Sequence, residues 1–263
     1  MPGARLEKVG PDNLARCGIG CLTNPKNVGF RPKFEWLQAR FAEGLRMLLF
    51  RDDQGHPFAF LEYTPGECAW RPVDAKGWFF VHCLWVYSKG QKLGGLGRRL
   101  VLACVEEARK AGVLGVAAMT SDGPWMVGRQ VFTKCGFEEV AKAGRFELVA
   151  HRLRSGPAPR FRDVSKQPAG RRGLEVIYSV QCPMLPKSVH DLSKIAAGLG
   201  LKLKITKLMS AREAQAAPSL YGAFSLLWNG RLLADHYVSG TRFKNTLREE
   251  GIGRAKRLVT RPK

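Results

Sequence analysis

The stretch HCLWVYSKGQKLGGLGRR, residues 82–99, constrains the fold more than any other part of this chain. An apolar, aromatic-rich run gives way to a turn carrying Gly94, Gly95 and Gly97, and that turn opens directly into a helical pattern. Lys92, Arg98 and Arg99 place positive charge around the unpaired N–H groups of the new helix. A strand, a glycine-rich turn and a helix N-terminus together form a seat for phosphate oxygens. The chain therefore needs a sheet with a helix crossing over it, which is an α/β arrangement.

The surrounding pattern extends this reading. Apolar spacing predicts a helix over 34–47 through Trp36, Leu37, Phe41 and Leu45. Strands are expected at 46–51 and 57–63 around Asp53-Gln54-Gly55, and at 78–87, whose near-continuous apolar character suggests burial on both faces. A helix over 95–111, a strand over 113–119, a helix over 123–135 stopped by Gly136, and strands at 137–141 and 145–153 complete a mixed α/β (α+β) sheet. Proline, glycine and arginine then dominate, and hydrophobic periodicity disappears. This predicts a unit at 1–155, a basic linker at 156–173 and a second unit at 174–263. In the second unit a strand at 174–180 leads into Gln181-Cys182-Pro183, a helix to about residue 199 and a strand at 202–208. A hairpin around Asn229-Gly230 and a helix over 241–250 follow. This β-α-β…β-β-α order suggests a small thioredoxin-like layout.

Composition narrows the function classes. No run of about eighteen uncharged apolar residues is present, which excludes a helical membrane span. The first residues lack a signal-peptide core, and the cytoplasm is the expected compartment. The seven cysteines are odd in number and scattered, which argues against a disulfide framework, and Cys17 and Cys21 lack partners at zinc spacing, so no metal is expected. The net charge is +21, and it is uneven: 21 basic against 15 acidic residues up to 150, then 22 against 7. Such a field draws anions: a nucleotide cofactor, an acidic substrate or nucleic acid.

A dinucleotide fold places its glycine turn after the first strand and an acid about twenty residues on. Here several antiparallel strands come first, and 112–119 contains no acid. A P-loop needs Gly-Lys-Ser/Thr, which Gly97-Arg98-Arg99 does not supply. Lys92-Leu93-Gly94-Gly95-Leu96-Gly97 instead resembles the coenzyme A pyrophosphate motif of the GNAT-type N-acetyltransferases, with lysine in the Gln/Arg place. Val131-Phe132-Thr133-Lys134-Cys135-Gly136-Phe137 resembles the late signature of the same family, at the family's usual separation. The segments Glu62-Tyr63-Thr64-Pro65-Gly66-Glu67, Ala69-Trp70-Arg71 and Thr120-Ser121-Asp122-Gly123-Pro124-Trp125-Met126 are similar to the GNAT subgroup carrying a YoaP-like C-terminal domain. That domain is matched by Gln181-Cys182-Pro183, Ala217-Pro218-Ser219, Tyr221-Gly222, Asn229-Gly230 and Thr241-Arg242-Phe243, so the resemblance covers nearly the whole chain.

The resemblance implies a GNAT acyltransferase fold followed by the thioredoxin-like unit. It further implies acetyl-CoA as cofactor, a small-molecule or peptide amine as acceptor, and direct attack in a ternary complex. Val86 and Tyr87 fall where a main-chain N–H would polarise the thioester carbonyl, and Lys92, Leu93, Gly94, Gly95, Gly97 and Arg98 would hold the pyrophosphate. Trp125 stands where an asparagine commonly contacts pantetheine, and Phe132 replaces the usual proton-donating tyrosine, leaving Tyr87 as an alternative acid. His82 and Cys83 are candidate bases; strand alternation lets only one face the cleft. Glu62 and Glu67 are further bases, Glu62 also a substrate contact. Cys182, at the expected start of a helix, should have a lowered pKa and grip the substrate, with Arg242 and His236 nearby. Disulfide chemistry is disfavoured, because Leu185 occupies the second position of the Cys-x-x-Cys pair. Two alternatives stay open: a catalytically weak binding module whose basic C-terminal half, including Arg254, Lys256, Arg257, Arg261 and Lys263, binds nucleic acid or acidic partners, and a redox sensor built on Cys182.

Overall fold

The computed structural model describes residues 5–52, 54–87, 95–165 and 170–253. A seven-stranded sheet is built from β1 (Arg5–Val9), β2 (Arg46–Arg51), β3 (Pro57–Pro65), β5 (Phe79–Val86), β6 (Gly115–Thr120), β7 (Glu138–Ala143) and β8 (Phe146–Arg152), in the order β1-β2-β3-β5-β6-β8-β7. A short β4 (Val73–Asp74) pairs with β9 (Arg160–Phe161). Helices α1 (Leu14–Cys17) and α2 (Phe30–Phe41) precede β2, and α3 (Leu96–Ala111) joins β5 to β6, the parallel pair of this sheet. The apolar stripe of α3 (Leu96, Leu100, Val101, Cys104, Val105, Ala108) is buried against Leu61, Tyr63, Phe79, Val81 and Val116. Each such Leu or Val contributes about 1.5–3 kcal/mol by leaving water.

The structure departs from the sequence reading in three places, one of them the helix expected over 34–47, which lies at Phe30–Phe41 and ends before β2 begins at Arg46. The helix expected over 123–135 contracts to α4 (Gln130–Thr133). The Ser121 hydroxyl accepts the Gly123 N–H at 3.1 Å, and Trp125 takes a left-handed conformation, φ 65°, which a helix cannot contain. Strand β1, unforeseen, pairs antiparallel with β2 along all five of its residues.

The β5–β6 ladder is the feature that positions the site. It runs only from Phe79↔Val116 to Val81↔Ala118, after which β5 parts from β6 while keeping its pairing with β3. At the parting point Glu62 pairs with Cys83 and Tyr63 with Val81, so His82 is the extra residue of a β-bulge. The bulge cancels the expected alternation. His82 and Cys83 both face α2, His82 against the Trp36 ring and Cys83 against the cluster that contains Trp36, whereas Leu84 and Val86 turn to α3.

The C-terminal half forms a second sheet from β10 (Leu174–Tyr178), β11 (Leu203–Lys207), β12 (Phe224–Trp228) and β13 (Arg231–Ala234), ordered β11-β10-β12-β13. Strand β11 runs parallel to β10, and β12 and β13 run antiparallel to their neighbours, in the β-α-β…β-β-α order expected. Helices α5 (Leu185–Gly198), α6 (Ala211–Gln215) and α7 (Gly240–Glu249) complete it. The two sheets share their apolar clusters: Trp78, Phe80, Met119 and Leu148 lie in one core with Val176, Leu185, Phe224 and Phe243. Trp36, Leu49 and Phe60 share another with Ile177, Val180 and Leu227. Arg145 pairs with Asp235 at 2.8 Å, and Gln215 donates to the carbonyls of Glu67 and Ala69 across the same junction.

Candidate active site

The free edge of β5 presents main-chain donors. Tyr87 donates its N–H to the Phe58 carbonyl at 2.8 Å, so Phe58 and Tyr87 form a hydrogen-bonded pair and the preceding Ala59–Val86 pair does not. By the alternation of an antiparallel ladder, Val86 then directs its N–H and C=O away from β3, towards the side that β6 has vacated. Leu84, two residues earlier, does the same. Of the two N–H groups expected to polarise a carbonyl, that of Tyr87 is spent on Phe58, whereas that of Val86 has no partner among the described residues. The first turn of α3 closes this end: a Cβ on Gly97 would lie 3.8 Å from Val86 Cγ2 and 3.5 Å from Val131 Cγ1. Gly95, φ 86°, caps the helix without a side-chain bond, and Arg98 beside it is exposed. Lys92, Leu93 and Gly94 lie outside the described residues. Trp125, on the loop after β6, is half exposed and packs on Tyr237 with ring centroids 4.8 Å apart.

Behind the bulge lies a buried charge network that the sequence reading missed in part. Lys33 and Glu62 are 1% and 0% exposed, and their charged ends meet at 2.5 Å. The Lys33 ammonium also lies over the Trp36 ring, 4.1 Å from its centroid. Burial alone raises the Glu62 carboxyl, but the Lys33 charge and the His82 ring overturn this and hold it at about 2. His82 Nε2 accepts the Trp70 N–H at 2.9 Å, which puts the ring proton on Nδ1, 3.3 Å from Glu62 Oε1. That last contact is long and poorly aligned for a hydrogen bond. Burial lowers the His82 pKa and keeps the ring neutral. With Nε2 committed to a backbone N–H, His82 has no lone pair to offer a substrate amine, and Glu62 is sealed from the cleft. The spacing Lys33, Trp36, Leu37 on one helical face was the signal for Lys33: a charge inside an apolar stripe.

In front of the bulge, three half-buried thiols (Cys21, Cys83 and Cys182) lie within electrostatic reach of one another and of Lys33 and Glu62. Burial pushes Cys83 up to about 12. Helix α5 starts at Leu185, three residues after Cys182, so the expected helix-terminal lowering of that thiol is corrected: burial raises its pKa more than the Met184 N–H lowers it. This removes the basis for a redox-sensing thiolate. Tyr87 is likewise raised by burial, to about 12, and its hydroxyl donates to the Gly20 carbonyl at 3.0 Å.

Arg71, in the loop after β3, lies within electrostatic reach of His82, Cys83 and Cys182. It is 5% exposed, its guanidinium lies 4.7 Å from the Tyr221 ring centroid, and Nη1 donates to the Trp70 carbonyl at 3.3 Å and to Gln181 Oε1 at 3.1 Å. The Tyr221-Gly222 turn rests directly on this loop; a Cβ on Gly222 would come 3.0 Å from Arg71 Cα. Other predicted residues are not brought together here. Glu67 is exposed in the turn after β3, at the closed end of the β5–β6 pair, and Arg242 is exposed on α7 beside Glu249. His236 bonds Asp235 at 2.9 Å. Phe132 is buried against Phe137, in the cluster that also holds Leu84 and Val86. All seven cysteines are free, and among the described residues no cluster suits a metal ion and no helix is long and apolar enough to cross a membrane. The basic tail from Arg254 onward lies outside the described residues.

Comparison with known proteins adds three findings. The YoaP-like family matches residues 202–245, within the second sheet and its helices. The uncharacterized N-acetyltransferase YoaP of Bacillus subtilis (strain 168) is 27% identical over 248 residues, covering 91% of this chain and 97% of that protein. Among solved structures, yncA from Salmonella typhimurium, a putative acetyltransferase with its cofactor acetyl-CoA, is 18% identical, with a TM-score of 0.43, over 60% of this chain and 98% of its own. The paia N-acetyltransferase of Thermoplasma acidophilum, in complex with coenzyme A, is 14% identical with a TM-score of 0.42 over 57% and 99%.

Proposed function

We propose that this chain is an N-acetyltransferase that moves the acetyl group of acetyl-CoA directly to an amine in a ternary complex, with the C-terminal unit, taken to begin at about residue 174, forming part of the acceptor wall. The observation that carries this is the open edge of β5, with Val86's N–H turned away from β3 and without a partner among the described residues, beside the first turn of α3. Leu84 and Val86 fit a pantetheine arm that pairs as an extra strand, and the first N–H groups of α3 fit a pyrophosphate. Bound there, acetyl-CoA supplies the activated acyl group. The relative named an N-acetyltransferase, aligned along nearly the whole chain, supports the same activity.

The chain's own residues have limited acid–base roles in this reading. Val86's N–H stabilises charge developing on the thioester oxygen. The buried Lys33–Glu62–His82 network holds the bulge that opens β5, so its members are positioning residues. The proton of the attacking amine leaves through solvent in the cleft, since His82, Glu62 and Cys83 are respectively engaged, sealed and too weakly acidic at neutral pH. Calorimetric titration with acetyl-CoA tests the proposal. Binding in the micromolar range is expected, with Gly97→Ala tolerated and Gly97→Asp abolishing it, because the Cβ has room whereas a carboxylate would face the pyrophosphate. Unchanged binding by Gly97→Asp would overturn the assignment.

A further inference from the structure

We infer that Arg71 is an anion anchor for the acceptor: the amine that this enzyme acetylates carries a carboxylate, which Arg71 and Gln181 grip across the junction of the two sheets. The inference rests on the transferase reading and names its substrate class. A guanidinium keeps its charge at any physiological pH, and a buried charge is costly unless it is paired. Arg71 is almost wholly buried, yet among the described residues no carboxylate lies within ion-pair distance of it. Glu62 is already taken by Lys33 and His82, and Asp235, which also lies within electrostatic reach of Tyr221, is taken by Arg145 and His236. Each of these carboxylates already has a cation, so the buried charge of Arg71 is left without a carboxylate among the described residues.

The geometry is that of a receptor and not of a mere strut. Only Nη1 of Arg71 is used, by Trp70 and Gln181, so Nε and Nη2 find no acceptor among the described residues. Those two nitrogens present parallel N–H bonds along one edge of the fork, which matches the two oxygens of a carboxylate. The Tyr221 ring fixes the plane of the guanidinium from behind. Gln181, its amide oxygen occupied by Arg71, has its two N–H bonds as further donors. Arg71 lies within electrostatic reach of His82, Cys83 and Cys182, which places the anchor beside the bulge where β5 opens. An amine held through its carboxylate at Arg71 is thereby presented to the free edge at Val86.

The test pairs L-amino acids, including the dicarboxylic ones, with their carboxamides as acceptors, read by thiol release from acetyl-CoA. Transfer is expected to the acids and not to the amides. Arg71→Gln should raise KM for the best acid at least tenfold with kcat changed less than about threefold, and Arg71→Lys should recover part of that loss; acetyl-CoA affinity should not move in either. Equal use of acids and amides, or an Arg71→Gln variant that lowers kcat alone, overturns the anchor while leaving the transferase reading intact. Calorimetric titration of the corresponding N-acetyl-amino acids, the expected products, and of their carboxamides, with and without coenzyme A, gives a readout that needs no turnover. Preference for the acid, lost in Arg71→Gln, supports the anchor even if no transfer is found; absence of acid binding in the native chain refutes it. Melting curves of both variants identify unfolding, and Arg71→Lys carries the comparison if Arg71→Gln does not fold.

Discussion

Replacing Lys33 by methionine would isolate the charge on which the bulge at His82 rests. Methionine preserves most of the side-chain stem against Trp36 and removes the ammonium, 2.5 Å from Glu62, that balances the carboxylate. The native pairing takes Glu62 from 4.5 to about 2, which corresponds to about 3 kcal/mol of stability at neutral pH. Loss of one partner of a buried pair also leaves the other uncompensated, and such losses run to about 3–5 kcal/mol. At about 2–4 °C per kcal/mol for a chain of this size, the melting temperature should fall by roughly 10–15 °C.

The pH dependence supplies the sharper check. In the native chain Glu62 has a folded pKa below its unfolded one, so its stabilisation is complete above about 4.5 and is lost as pH falls towards about 2. In Lys33→Met the sealed carboxyl has no cation, its folded pKa rises above the unfolded value, and stability is regained as pH falls from neutrality. The acid slope inverts. Urea denaturation at pH 7, 6, 5, 4 and 3 measures this directly. The double variant Lys33→Met/Glu62→Gln, which keeps an acceptor for His82 Nδ1, should restore most of the loss. A single-variant cost under about 1 kcal/mol, or an acid slope like that of the native chain, would refute the argument.

Rate–pH profiles of acetyl transfer should show no limb near pH 6.5 from His82, because that ring stays neutral and its Nε2 is bonded to Trp70; a limb there that vanishes in His82→Gln would contradict this. Cys83 and Cys182, raised by burial, should react with iodoacetamide at pH 7.5 well below the rate of free cysteine, as followed by mass spectrometry. Gly222→Ala, at φ 73° with its Cβ 2.9 Å from Pro72 Cδ, should cost roughly 1–3 kcal/mol in urea melts, against little for Gly10→Ala, where the Cβ meets open space. Deleting residues 174–263 should yield an insoluble or molten N-terminal fragment, since Trp78, Phe80, Met119 and Leu148 lose the apolar partners that cover them; a cooperative melt of the fragment would count against the shared core.

Much of the fold was legible because its signals are local. The stripe of α3 follows a period of 3.6, and Asn229 and Gly230, both at positive φ, supply the turn chemistry of a two-residue hairpin. What was not legible arises where long-range packing overrides a local rule. Strand alternation set His82 against Cys83, but the bulge that unites them lies where β6 lets go of β5 while β3 keeps its hold. A helix N-terminus lowers a nearby thiol, yet α5 begins too late for Cys182 and burial decides the direction. Lys33 and Glu62 are 29 positions apart, and Arg71 and Gln181 are 110 apart; neither pairing leaves any mark on sequence spacing.

The junction between the sheets explains why these buried charges can be sustained. Helix α2 covers His82 and Glu62 from one side, but without the C-terminal half the same face at Phe80 would meet water, and the burial that keeps His82 neutral would be weakened. The C-terminal half covers that face with Val176, Phe224 and Tyr221, and lays Gln181 and Cys182 against Arg71 and the thiols of the first half. Low dielectric there strengthens the Lys33–Glu62 attraction and, by the same physics, raises the cost of leaving Arg71 unpaired. The same packing thus buries the bulge at which β5 leaves β6 and sets the Arg71 charge beside it. On the proposed reading the second sheet helps define what the open edge meets, and an acceptor carrying its own negative charge is the ligand that the unpaired Arg71 favours.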